Sequence, residues 1–374
     1  MGNTTSPTRL ESLDALRLLA ALAVLFYHFF YRGSIADGYL NVSYGVSGGL
    51  IAILYLGVNL FFMISGFVIM RSAADRSAWE FGVIRFKRLY PAHVVAMTLT
   101  ALIMATWSAT PFVATFGGWL ANLTMMAPAF GHPFMDGAYW SIVVEIIFYG
   151  WVALAILVGI VPRRTDLFAG CWLAIILINN LFLQNSIVER LFLTSHGGNF
   201  AIGILIYQIT RHGFGQIRVA LIILALLLSL LGAESERQMS LEALGIAPTA
   251  QDLGLAQLAT VGVFLAAIGI SYLPRWKTGV ATNPGIAGFI SMAAGISYPL
   301  YLFHQHAGYI IINWLSPATG KWPAAMIATI VVVLVAWGIW RFTEPVGRRM
   351  IDFSIRCLER LWLRIHGYHP APAE

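Results

Sequence analysis

Residues Leu13 to Arg32, LDALRLLAALAVLFYHFFYR, form an apolar run long enough to cross a bilayer, yet they hold Asp14, Arg17 and His28. An ionised side chain near the middle of a spanning helix costs about 2.5 to 3.5 kcal/mol on insertion scales, so these residues must face protein or a wet cavity. Arg17 and His28 are eleven positions apart, close to three helical turns. One helix face therefore carries both, separated by roughly 16 Å at 1.5 Å per residue.

The rest of the chain has the same character. Only 11% of its 374 residues are charged, and the mean hydropathy is +0.76, far outside the soluble range. The apolar runs are too long for the strands of an outer-membrane barrel and select helices. The first run reads as a retained anchor, with no cleavage site before a soluble domain. The formal charge of +6 is read as lysine and arginine held in cytoplasmic loops, not as a nucleic-acid surface. Cys171 sits in an expected span and Cys357 in a basic tail, so neither a disulfide framework nor a thiolate metal site is expected.

Apolar length gives about ten spans, at roughly residues 12 to 31, 48 to 70, 89 to 108, 140 to 161, 166 to 183, 196 to 210, 217 to 232, 254 to 273, 287 to 314 and 322 to 342. With the N-terminus cytoplasmic, the inner segments collect Arg9, Arg71, Arg76, Arg85, Lys87, Arg88, Arg163, Arg164, Arg211, Arg218, Arg275, Lys277 and six arginines from Arg341 to Arg364. The outer segments collect Arg32, Arg190, Arg237 and Lys321. That asymmetry orients the chain with both termini cytoplasmic. The expected fold is all-α and polytopic, one domain over residues 1–374 with its spans within about 12–345 and a basic amphipathic cytoplasmic tail over 346–374. The loop 109–139 contains GGWLANLTMMAPAF, too short for a span and read as re-entrant or interfacial; 233–253 reads as a solvated acidic outer loop.

This orientation sets the depth of the polar residues. Asp14 and Arg17 fall toward the cytoplasm and His28 toward the outer end of the first span. In the fourth, YWSIVVEIIFYG, Ser141, Glu145 and Tyr149 form a stripe at i, i+4, i+8, with Glu145 at a depth matching His28. Imidazole and carboxylate at one depth suit a general acid/base pair, or simply a hydrogen bond between helices. In the inner loop RFKRLYPAH, Arg85 and Arg88 are neighbours on a turn, a spacing that suits a phosphate group and equally a topology signal. In the ninth span, GISYPLYLFHQHAGY, Ser297, Tyr301 and His304 share a face, beside Pro299. Tyr301 and His304 are candidate oxyanion donors, with packing as the alternative role. Asn59 and Gly66 in GVNLFFMISGF suit a close helix crossing. His304 and His306 lie on different helix faces, and no HExxH occurs, so no metal is expected.

Six stretches occur in an order that resembles the acyltransferase-3 family of integral-membrane O-acyltransferases: LDALRLLAALAVLFYH (13–28), GVNLFFMISGFVI (57–69), RFKRLYPAH (85–93), WSIVVEIIFY (140–149), GISYPLYLFHQ (295–305) and RFTEPVGRR (341–349). The resemblance implies that Arg17 and His28 are the family's essential arginine and histidine, Arg85 and Arg88 its cytoplasmic arginine pair, and Glu145 its fourth-span acid. Where the family often has two consecutive acids, this chain has Glu145 alone. The resemblance also implies an acyl-CoA donor, usually acetyl-CoA, bound at Arg17, Arg85 and Arg88, and a carbohydrate or glycoside hydroxyl as acceptor. His28 and Glu145 would be catalytic, and Asp14, Ser141, Tyr301 and His304 would line the cavity. The setting implied is a bacterial cytoplasmic membrane, with the lipid bilayer as partner and no nucleic acid. Its competitor is a proton-coupled transporter that uses the same residues without covalent chemistry; a scaffold or sensor built on the same fold is a third reading.

Overall fold

The computed structural model describes residues 11–45, 49–107, 111–242, 245, 247–272 and 284–365. It is 84% helical, and among the described residues there are no strands. Eight helical segments there are long and apolar enough to cross a membrane, with a shorter apolar helix at Gly288–Phe303. Large apolar side chains such as Leu157, Phe182 and Ile217 lie more than two-thirds exposed on the outside of the bundle, as a lipid-facing surface requires. The chain is an all-α polytopic membrane protein.

The first helix, α1 (Glu11–Tyr27), continues as a π-helical segment, His28–Ala36. It stands between two apolar cores. Leu13, Leu16, Ala20 and Val24 pack into one, and Ala21, Leu25 and Phe29 into the other. The first core is built with α2 (Gly57–Ala73), α5 (Trp140–Leu157), α6 (Thr165–Ile178), α8 (Gly197–His212) and α9 (Gln216–Glu242). The second uses α3 (Ala78–Trp107), α11 (Pro284–Phe303), α12 (Gln305–Thr319) and α13 (Lys321–Gly338). Shorter helices are α4 (Phe116–Asn122) and α7 (Ser186–Phe192), while α10 is Ala250–Tyr272 and α14 Glu344–Ile365.

Glycine sets the closest crossing. A Cβ on Gly203 of α8 would come within 1.9 Å of the Met63 carbonyl oxygen, and one on Gly66 of α2 within 2.2 Å of the Phe200 oxygen. Backbones at that distance exclude any larger side chain, the expected use of small residues between membrane helices. Every residue of α8 from Gly197 to Ile209 is buried, so this helix is internal.

Three expectations are corrected. The arginine-bearing stretch RFKRLYPAH is not a loop, because α3 runs thirty residues from Ala78 and includes Pro91. At 1.5 Å per residue that is roughly 45 Å, more than the hydrocarbon thickness, so its first turns extend beyond the bilayer as helix. Nor is 233–253 a solvated loop. Helix α9 continues to Glu242, and Arg237 is buried between Tyr31 Oη at 3.3 Å and Asp252 Oδ1 at 3.2 Å. The ninth span is two helices, broken at His304 between α11 and α12. Helix α14 is fastened to the bundle near its start. Glu344 accepts from Arg88, Lys87 pairs with Asp352, and Gly347 fits against Pro91, all fastening α14 to α3. Past that point α14 exposes Phe353, Leu358, Leu361 and Trp362. Within 109–139, α4 and a short turn at Ala127–Phe130 fold back on α3, where buried Asn122 accepts from Met135 N and its carbonyl oxygen meets His93 Nε2 at 2.9 Å. Arg9, Arg275, Lys277 and the tail beyond 365 lie outside the described residues.

Candidate active site

Two cavities open along α1, one near each end. The smaller, about 100 Å³, is lined by Arg17, Arg85 and Arg88 with Ser65, Ser141, Glu145, Tyr149, Ser297 and Tyr301. Three guanidinium-bearing side chains thus converge from α1 and α3, brought together by the helical extension of α3. Arg88 donates to both carboxylate oxygens of Glu344, at 3.1 and 3.0 Å, and Glu344 also holds Arg348 at 2.7 Å. Arg85 Nη2 donates to Ser72 Oγ at 3.2 Å, while its Nε is buried without a hydrogen-bond partner among the described residues. A buried guanidinium with an unused N–H is poised for an anionic oxygen. Arg17 reaches Asp14 at 3.3 Å and lines the cavity as well.

The larger cavity, about 400 Å³, is lined by His28 with Tyr27, Arg32, Asp37, Tyr55, Asn59, Trp140, His196, Glu236 and Tyr301 among others. His28 Nδ1 lies 3.2 Å from Tyr309 Oη, and its ring meets that of His304 edge-on with centroids 5.0 Å apart. Gly33 and Gly308 let α12 close on this segment, since a Cβ at either would fall within 2.5 Å of Tyr309 or Phe29 ring atoms. Arg32 pairs with Asp37 at 3.1 Å. Burial raises the Asp37 carboxyl's pKa above its ordinary value, against the opposing pull of Arg32.

The expected pairing of His28 with Glu145 is not formed. Glu145 accepts from Ser65 Oγ and Tyr149 Oη, both at 2.5 Å, and belongs to the arginine-lined cavity. The physical reason is where α5 begins. Asp136 is fully buried, accepts from Ala138 N at 2.9 Å and from His306 N at 2.9 Å, and so starts the helix inside the protein. Glu145 therefore lies deeper than a count from the membrane surface implies. Of the candidate lining residues, Ser141 and Tyr301 do line a cavity, Asp14 serves Arg17, and His304 stands behind His28.

The candidate oxyanion donors are also committed elsewhere. Tyr301 Oη donates to the Ala138 carbonyl at 3.2 Å. His304 Nδ1 lies 2.8 Å from the Tyr301 carbonyl and must donate to it, because a carbonyl only accepts. A neutral His304 then has an acceptor at Nε2, buried and without a partner among the described residues. Sequence reasoning passed over Tyr309, His196, Glu236, Trp140 and the Arg32–Asp37 pair as site residues. Arg32 was visible as the last residue of the opening stretch, whereas Glu236 carried no signal beyond an acidic segment.

The two cavities share Val58 and Tyr301 as a common wall. A family model described as an acyltransferase domain, acyltransferase-3, matches residues 10–341. Among curated proteins, "Acyltransferase MdmB" of Streptomyces mycarofaciens is 32% identical over 151 residues, which is 38% of this chain and 38% of that protein. The aligned stretch thus spans well under half of that relative. No solved structure matches the chain.

Proposed function

The chain belongs to the acyltransferase-3 family of membrane acyltransferases, and from that premise we propose that it moves an acyl group, acetyl in the first instance, from cytoplasmic acyl-CoA to a hydroxyl of a carbohydrate or glycoside at the outer face of a bacterial cytoplasmic membrane. The observation that carries this reading is the pair of abutting cavities along α1, one rich in guanidinium groups and one containing His28. A donor with phosphates at one end and a thioester at the other suits that layout.

In this reading Arg85, Arg88 and Arg17 bind the donor's phosphates, with Glu344 fixing the Arg88 guanidinium and Glu145 lining the same cavity. The pantetheine arm brings the thioester to the Tyr301 wall. With Nδ1–H donated to Tyr309, His28 presents Nε2 as base and takes the acceptor hydroxyl's proton as the oxygen attacks the thioester carbonyl. The new ester forms, the carbon–sulfur bond breaks, and the proton returns to the departing CoA thiolate.

The test uses purified protein in nanodiscs with radiolabelled acetyl-CoA and bacterial surface glycan. Label in the glycan is expected, and His28→Ala should lower it by about 10² to 10⁴ without loss of membrane insertion. Wild-type turnover by His28→Ala removes His28 from the chemistry. Transport of a glycan with no ester formed would favour the proton-coupled transporter.

A further inference from the structure

Arg32 and His196 on the wall of the His28 cavity each face a carboxylate. Arg32 Nε lies 3.1 Å from Asp37 Oδ2, and His196 Nδ1 lies 3.0 Å from Glu236 Oε1. Arg237, the next residue on α9, is not among the described lining residues; its guanidinium is held by Tyr31 and Asp252, with Nε left without a hydrogen-bond partner among the described residues. His28 acts as a base and is neutral when it meets the acceptor. An incoming carboxylate or sulfate would thus find no unpaired arginine or lysine among the described lining residues.

What the wall offers instead is aromatic and hydrogen-bonding surface. Tyr27, Tyr55 and Trp140 line it together with the buried amide of Asn59. The Tyr27 and Tyr55 rings lie with centroids 5.7 Å apart, and Trp140 packs against His196 at 5.2 Å. Aromatic faces suit the C–H faces of a sugar ring, while carboxylate and amide oxygens accept from its hydroxyls. We propose that this cavity selects an uncharged glycosyl acceptor and rejects an acidic one, with Asp37 and Glu236 setting that selection. The proposal rests on the acyl-transfer reading above and adds the charge class of its acceptor.

The experiment offers the protein in nanodiscs radiolabelled acetyl-CoA and matched pairs of p-nitrophenyl glycosides, glucoside with glucuronide and galactoside with galacturonide. The neutral member of each pair should be labelled about tenfold or more faster than the acidic one. Asp37→Asn leaves Arg32 unpaired and should raise labelling of the uronides relative to the neutral glycosides. Glu236→Gln, on α9, should do the same, and serves if Asp37→Asn fails to insert. Uronides labelled as well as neutral glycosides by the wild type would overturn the proposal and leave acyl transfer intact. Release of CoA from acetyl-CoA with no glycoside labelled would overturn the glycosyl assignment alone. Absence of CoA release would take down the acyl-transfer reading and this proposal together.

Discussion

Glu145 illustrates how much a single side chain's neighbours decide. Its carboxylate accepts from two hydroxyls and faces the arginine-lined cavity, so its effect belongs on the donor side. Glu145→Gln should shift the apparent KM for acetyl-CoA and leave the acceptor's KM unchanged. Steady-state kinetics with each substrate varied separately checks this; a change confined to the acceptor would return Glu145 to the side of His28. Glu344→Gln is a second case. Arg88 would lose its bidentate carboxylate partner, and donor affinity should fall while Arg88 itself remains. The same kinetics should give a raised donor KM, and an unchanged value would mean that Glu344 only fastens α14.

Among the helices, the crossing of α2 and α8 makes the sharpest prediction. Gly203→Ala drives a Cβ into the Met63 carbonyl and should cost about 1 to 3 kcal/mol or more through overpacking. Gly150→Ala, where a Cβ meets nothing within 4 Å, is the control. Melting temperatures in detergent should fall for the first and hold for the second. The spanning helices were legible in the sequence because hydrocarbon thickness dictates their length and leaves a continuous apolar run. The Gly66 contact was legible too, since only a small residue permits that approach. Hidden features were those that tertiary contacts impose. The break at His304 lies beyond Pro299, the residue that advertises a disturbance. The helical continuation of α9 past Ser235 runs through charges that signal a loop, and it is held there by Arg237, Asp252 and Tyr31. Arg17 and His28 were placed at opposite ends of one stripe by spacing alone, but the partner of His28 sits 281 residues away, at Tyr309, where no local pattern could point.

For the molecule as a whole, the charge asymmetry predicts both termini on the cytoplasmic side, and the two exposed cysteines provide the means to check it. Cys357 lies on the amphipathic helix α14, whereas Cys171 lies within an apolar span. In a Cys171→Ala background, a membrane-impermeant maleimide should label Cys357 in inverted vesicles and not in right-side-out ones. Labelling in right-side-out vesicles would reverse the topology.

The wall formed by Val58 and Tyr301 has a consequence for the cell that houses the protein. Two hollows approaching each other from opposite ends of a helix come close to making a pore, and a water thread through them would let protons run down their gradient. The Tyr301 ring, pinned through its hydroxyl to Ala138, stands where that thread would pass. Blocking that path would keep the bilayer electrically tight. Tyr301→Ala in liposomes loaded with a pH-sensitive dye should collapse an imposed proton gradient faster than the wild type, even with no substrate present.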